Sequence, residues 1–478
     1  METNIQGLSV FLEYSLTNLD AAFSKIPGSA VVVRYVKSSH QNDPGRTLLE
    51  LALVVFAIFT LLQSRTRADR NGKHFIQFND KEIDELVDEW TPEPLAAPLD
   101  AVEASDLAAV PIVVGPNGPK PTLVKQPSKI IANLASYNFT GLAGKEVIKG
   151  RAIETLRKYG LGSCGPPGFY GTLDVHMALE RDIADFLGAE SAIIYSQGFS
   201  TISSVIPAFC KRGISSWYDH NDLKSLEDVL DSVEKERKKR RGPLTRRFII
   251  TEGIFEKDGA MIDLPKLIEL KFRKKYRLIL DESMSFGTVG RTGRGLTELY
   301  NVPATKVDML VGSMAIGLCS GGGFCAGSQN VVDHQQINGP SFVFSASMPA
   351  LLAVSASEGI EILRSSPSIL TKLQQNIRVA RAILDDLDCI SIPSHPASPI
   401  IHIHWDWDID AEERTLQLVV DEALKRGVMI TRAKRLRGQE MVEARPSIKL
   451  AMTSELSAEE VKKAVKIVSQ ALKDVLRK

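Results

Sequence analysis

From residue 128 onward the apolar positions follow two alternating patterns. "AIIYSQGFS", "RRFIITEG", "YRLILDES" and "VDMLVGS" are short apolar runs of the kind that form strands buried on both faces, while "HMALERDIADFLG" and "LPKLIELKFRKK" carry apolar residues at helical spacing. Strands alternating with helices predict an α/β domain, a mostly parallel sheet flanked by helices. Ligands in such sheets bind beyond the carboxyl ends of the strands. After Pro349 a long helical stretch leads to "PIIHIHWDW", "VMITRAK" and "SIKLAMT", read as strands, and to the amphipathic "AEEVKKAVKIVSQALKDVL". The predicted boundaries are a large domain over 128–355 and a smaller C-terminal α+β domain over 356–478.

The N-terminal pattern differs. "TLLELALVVFAIFTLLQ", residues 47–63, is apolar all round except for Glu50, and Arg46, Arg65, Arg67 and Arg70 flank it. As a helix rising about 1.5 Å per residue it approaches the thickness of a hydrocarbon core of about 30 Å, which predicts a transmembrane helix. Residues 1–46 contain "IQGLSVFLEYSLTNLDAAF", whose helical spacing suits the membrane interface. Residues 64–127 read as a linker arm: a short helix from about Lys81, then "EWTPEPLAAPL", whose prolines stop it.

Composition narrows the partners. The 58 basic and 58 acidic side chains cancel, so no overall field draws the chain to nucleic acid. Five cysteines without CxxC spacing argue against a zinc site and a disulfide framework, and place the main domains in the reducing cytosol. The basic run "EKERKKRRGPLTRR", Glu234 to Arg247, reads as a solvated loop, since no aromatics interleave it. His402 and His404 alternate onto one strand face, and without a third ligand at motif spacing they read as hydrogen-bonded strand histidines.

Four stretches could carry chemistry. Asp281 ends an apolar strand, where a carboxylate serves either as a turn cap or as the partner of a pyridinium nitrogen. Gly198, Phe199 and Ser200 lie at a strand-to-helix turn able to bind a phosphate. "GSCGPPGFYGT" is a close-approach loop, and "FVFSASMPA" sets Ser345 and Ser347 before a helix.

In order and spacing these stretches resemble the α-oxoamine synthase family of pyridoxal-phosphate (PLP) enzymes, from about Asn133 to Leu472. The family's GTxxxHxxLE appears as "GTLDVHMALE", SxGF as "SQGF", xDGxFxxDG as "TEGIFEKDG", DExHSxGxxGxxGRG as "DESMSFGTVGRTGRG", and GTxSKxxGxxGGY as "GSMAIGLCSGGGF". The resemblance implies the PLP-dependent transferase fold type I. In this register Ile316 takes the place of the lysine that holds the cofactor, and a hydrocarbon cannot condense with an aldehyde. Met284 replaces the family's histidine, and Lys449 replaces an arginine with a point charge.

Within the family, the form without the lysine implies a non-catalytic subunit of a heterodimer in the endoplasmic reticulum membrane. The lysine-bearing second subunit binds pyridoxal 5'-phosphate covalently and condenses serine with palmitoyl-CoA to 3-oxosphinganine. Asp281, Gly198, Phe199 and Ser200 are then vestigial cofactor contacts. The resemblance implies that Tyr137, Asn138, Cys164 and Ser345 reach the partner's active site. It implies Orm-type membrane regulators and a small activating subunit as further partners.

Two alternatives are a self-sufficient PLP acyltransferase using another lysine such as Lys306, and a membrane scaffold that binds regulators. One departure is larger: between "AFCKRG" and "YDHNDLKSLEDVL" the family has a strand, a turn bearing the residue that stacks on the pyridoxal ring, and another strand. Here only "ISSW", Ile214 to Trp217, joins them, the form of a misassembled or alternatively spliced product. That shortening predicts an unpaired sheet edge or a rearranged neighbour.

Overall fold

The computed structural model describes residues 29–476 apart from 44, 46–47, 51, 62–77, 93–97, 100, 211–215, 241–245, 389, 406–408 and 434–443. Contacts divide the chain into two units, Met1–Leu107 and Ala108–Lys478, and do not separate residues 128–355 from 356–478.

The second unit is built on a five-stranded sheet of β1 (Ser191–Tyr195), β2 (Phe248–Glu252), β3 (Arg277–Asp281), β4 (Met309–Ser313) and β5 (Gly323–Gly327), in spatial order β1-β5-β4-β3-β2. β2, β3 and β4 run parallel, and β5 is antiparallel to both its neighbours. Alternate side chains face opposite ways, and both faces are buried. Leu278, Leu280, Leu310 and Phe324 pack with Leu179, Phe186 and Ile360 on one side, while Ile193, Ile279, Met309 and Val311 pack with Val205, Val332 and Phe342 on the other. This two-sided burial is why the strands are uniformly apolar in sequence.

β5 was not foreseen, because "GGGFCAG" reads as a turn. Its glycine has a packing reason: a Cβ on Gly323 would lie 2.2 Å from Thr201 Oγ1 and 2.8 Å from the Gly312 carbonyl oxygen. The shortened link has the first of its two expected outcomes. β2 pairs only with β3, and among the described residues no strand lies on its other side.

The small lobe is a three-stranded antiparallel sheet of β6 (Ile400–Ile403), β7 (Thr431–Arg432) and β8 (Ile448–Ala451), in order β7-β8-β6, backed by helices Ser368–Leu384 and Ala458–Leu476. Its core is continuous with that of the large lobe through Ile403, Leu450, Val465 and Leu373.

One expectation is corrected. The basic run from Glu234 is not a loop up to Arg240: it is the last part of helix Leu223–Arg240. Glu234 pairs with Arg237 at 2.7 Å and with Arg247 at 3.0 Å, Glu236 pairs with Arg240, and cations suit the negative end of a helix dipole. Residues 241–245 lie outside the described set.

The transmembrane helix over 47–63 is not seen as such. Residues 48–50 and 52–61 are helical, with Leu49, Phe56, Phe59 and Leu61 exposed, but Thr47, Leu51, Leu62 and Gln63 lie outside the described residues. Ten consecutive residues rise only about 15 Å, and among the described residues no helix is long and apolar enough to cross a membrane. The interfacial segment expected over residues 5–23 also lies outside them. The short helix of the arm is Asp80–Glu89, started by a capping box between Asn79 and Glu82.

Candidate active site

Asp281 closes β3, in register with Glu252 at the end of β2. Its carboxylate accepts the Ser283 N–H at 2.8 Å, so it caps the turn that follows. Burial raises its pKa above the usual carboxylate value, with the Ser283 hydrogen bonds opposing the shift. Glu252 is pushed up to about 7 by burial, with the neighbouring Asp281 adding to the effect. The strand ends therefore hold two carboxyls in an environment that resists their ionisation.

Gly198 begins helix Gly198–Phe209, directly after β1 and its turn. A Cβ here would lie 2.6 Å from Ser313 Oγ, so close packing of this turn on β4 already requires glycine. Phe199 projects into solvent. The Ser200 hydroxyl donates to the Gln197 carbonyl at 3.0 Å, and the Thr201 hydroxyl to the same oxygen at 2.9 Å.

Ile316 sits in the short helix Met314–Gly317 after β4, partly buried against the main core. Its turn is fastened by Thr140 Oγ1, which donates to the Gly317 carbonyl at 2.9 Å, and by Cys319, whose Sγ meets Asn138 Oδ1 at 3.2 Å. The Asn138 carbonyl in turn accepts from Thr453 Oγ1 at 2.8 Å.

The Cys164 loop joins the same region. Cys164 is exposed and adopts φ 59°, the left-handed region unusual for a side chain with a Cβ. The next carbonyl, of Gly165, accepts the Ser347 N–H at 3.0 Å and the Ser347 hydroxyl at 3.2 Å. Ser345 Oγ lies 3.5 Å from Ser196 Oγ, at the limit of a hydrogen bond. His176 locks the arrangement: its Nδ1 accepts the Leu173 N–H at 3.0 Å, so its Nε2 donates to the Met348 carbonyl at 2.6 Å. Burial lowers its pKa, which favours this neutral tautomer. The glycine-rich loop, the "SQGF" turn and the "FSAS" loop thus form one stitched surface, edged by the exposed rings of Phe169, Tyr170, Phe199 and Phe344.

Tyr137 belongs to a cluster that sequence reasoning did not assemble. Its hydroxyl donates to Glu256 Oε1 at 2.6 Å, and Lys449 Nζ lies 2.8 Å from the same oxygen and 2.7 Å from the hydroxyl. Burial raises the Tyr137 pKa, reinforced by the hydrogen bond to Glu256. Burial opposes ionisation of Glu256, but its bonds from Lys449 and Tyr137 outweigh burial and hold its pKa below the usual range. The one available signal was Lys449 itself, at a position where the family pattern has arginine. His402 bonds the Ser447 hydroxyl at 2.8 Å and the Glu256 carbonyl at 3.0 Å, and burial lowers its pKa to about 4. Among the described residues, His404 Nε2 is buried without a hydrogen-bond partner.

The residues present do not fit a covalently held PLP. Ile316, at the family's lysine position after β4, is a hydrocarbon, the hydroxyls of Ser200 and Thr201 are turned back to their own backbone, and the strand pair that bears the ring-stacking residue in the family pattern is replaced by a four-residue link. What the arrangement does provide is a rigid set of loops on one face.

The aminotransferase class I and II model matches residues 129–217 and 215–468, two stretches that meet at the shortened link. Serine palmitoyltransferase 1 of Dictyostelium discoideum is 36% identical over 462 residues, covering 89% of this chain and 93% of the relative. Serine palmitoyltransferase 1 of Saccharomyces cerevisiae is 33% identical over 516 residues, covering 94% and 92%. The solved structure of SPT with PLP superposes with a TM-score of 0.68 at 18% identity, covering 84% of this chain and 99% of that one, which shows the shared fold. The sheet order, the loops at its carboxyl ends and these relatives agree, and the chain belongs to the class I and II aminotransferase family and, within it, to the group of serine palmitoyltransferase 1 proteins.

Proposed function

We propose that this chain is a non-catalytic but required subunit of serine C-palmitoyltransferase, acting in the condensation of L-serine with palmitoyl-CoA to 3-oxosphinganine. The catalytic lysine and its PLP come from a second subunit of the same fold. Ile316 carries this reading: a side chain without a nitrogen stands where the cofactor must be held. The stitched loops explain why such a chain would be retained. Exposed Phe169, Tyr170, Phe199 and Phe344 offer a second subunit an apolar rim, and large exposed apolar groups of this kind mark association surfaces. Tyr137, Asn138, Cys164 and Ser345 border that rim or the Ile316 turn and are the residues that reach the partner's pocket. In the same reading the protein works at the endoplasmic reticulum membrane with its main lobes in the cytosol. The exposed apolar side chains among residues 48–50 and 52–61 are what lipid covers, and Orm-type regulators and a small activating subunit bind nearby.

The test is purification of the chain alone and together with a lysine-bearing subunit. Alone it should be colourless with PLP, resistant to borohydride trapping and inactive; together, colour and 3-oxosphinganine synthesis should appear. A coloured, active preparation of the single chain would end the proposal. In the assembled enzyme, Cys164→Trp or Asn138→Ala should raise the KM for serine, whereas a pure scaffold would leave it unchanged.

A further inference from the structure

Lys449 stands on β8 with its side chain 15% exposed, its ammonium 5.1 Å from the centre of the Tyr137 ring. Ammonium and phenol converge on one carboxylate oxygen, each within 2.8 Å. A partly buried cation, a hydroxyl donor and an aromatic face together make a receptor for a small carboxylate. The carboxylate that fills it belongs to the chain itself. Glu256 lies on the turn after β2, 42% exposed, its backbone N–H bonded to Glu252 Oε2 at 3.2 Å. The two partners are unequal: Glu256, 42% exposed, can reach water, whereas Lys449, 15% exposed, is the costlier of the two to leave without an anion. Through Asn138, the neighbour of Tyr137, the cluster borders the Ile316 turn.

We propose that Glu256 is an internal stand-in ligand that occupies the Lys449–Tyr137 pair and keeps free monocarboxylates, the chemical class of amino acids, off it. A tethered carboxylate competes at an effective concentration of about millimolar or above, so dilute free acids do not displace it. Glu256 is thus a specificity-determining residue that leaves amino-acid binding to other sites, and this role does not depend on a second subunit.

The experiment uses the full chain, with acetate and L-serine as probes and titration calorimetry as the readout. Glu256→Ala, which vacates both the charge and the space, should bind acetate at least tenfold more tightly than the unaltered chain. Glu256→Ala combined with Lys449→Met should lose that gain. The proposal is overturned if Glu256→Ala binds no more tightly, or if its gain survives removal of Lys449. Should Glu256→Ala fail to fold, Glu256→Gln carries the test: a Lys449-dependent gain supports the proposal and an unchanged affinity overturns it.

Discussion

The two edges of the main sheet are built from similar residues and end differently. At β1, the edge carrying Ile193 and Ile194, both isoleucines are buried. Glu180, on helix Asp174–Leu187, accepts the Ile194 N–H at 3.2 Å, so part of the edge is satisfied by a side chain. At β2, Ile250 is 37% exposed, and the described cover includes Tyr218, whose phenol bonds Thr251. Burying an aliphatic side chain is worth about 1.5–3 kcal/mol, and bare strand edges pair with other chains. The first edge is finished by a side chain fourteen residues upstream, in "GTLDVHMALE"; in the family pattern the second is covered by strands that the Ile214–Trp217 link is too short to form. A family fold can therefore persist when one side of its sheet is lost, provided the central strands stay covered on both faces.

The largest expected effect comes from undoing that difference. Sequencing transcripts across Gly213 to Trp217 should reveal a form with a longer insert. A chain carrying that insert should unfold at higher denaturant, with about 3–6 kcal/mol more stability, the worth of two aliphatic side chains newly buried against β2. Amides of Ile249 to Thr251 should then exchange as slowly as those of β1. Equal unfolding midpoints and equal exchange would show that the bare edge is already closed by other means.

The same contrast separates what could be read from the sequence from what could not. β1 to β4 were legible because two-faced burial demands unbroken apolar runs, and Ile316 was legible because the motifs on either side fix its register. β5 was not, since its glycines answer to Thr201 and Gly312 across space, a demand with no local signature. Nor was the helix through Arg240, where ion pairs three and four residues apart support a stretch of like charges. The Tyr137–Lys449 contact joins positions 312 residues apart, and its third member, Glu256, lies on a turn of the other lobe. Of the candidate site, the loops were foreseen and their stitching was not: Gly165 to Ser347 and His176 to Met348 are bonds between side chains or backbone groups that only the fold brings together.

A smaller effect tests the finished edge through pH. Burial pushes Glu180 up to about 7 from 4.5, partly offset by the Ile194 hydrogen bond. Between those values the folded chain keeps a proton that the unfolded chain has released, so stability falls as pH rises from about 4.5 to 7, and the full cost is present above 7. Glu180→Gln keeps an oxygen for the Ile194 N–H and never charges. It should be neutral at pH 4 and stabilising by about 1–3 kcal/mol at pH 8, read from urea unfolding at both values. Glu252 and Glu282, also pushed up to about 7 by burial, retain their own pH dependence in that variant. A Gln variant with the same pH slope as the parent would mean that Glu180 is ionised at little cost, and that the β1 edge is wetter than its contacts imply.

The smallest effect on stability, and the clearest on behaviour, belongs to Ile250→Lys. Its neighbours Ile249 and Thr251 are buried, so period-two alternation directs the Ile250 side chain outward, and the methyl groups given up contribute little to the core. Surface substitutions of this kind stay within about 0.5 kcal/mol. A lysine on an exposed edge nevertheless blocks a second strand from adding to it, because its charge would have to be desolvated in the new interface. Light scattering at rising protein concentration should show the parent chain associating and the lysine variant remaining dispersed, with matching unfolding curves. If both chains scatter alike, the strand edge is not where copies meet, and the exposed rings of Phe169, Tyr170, Phe199 and Phe344 become the surface to alter next.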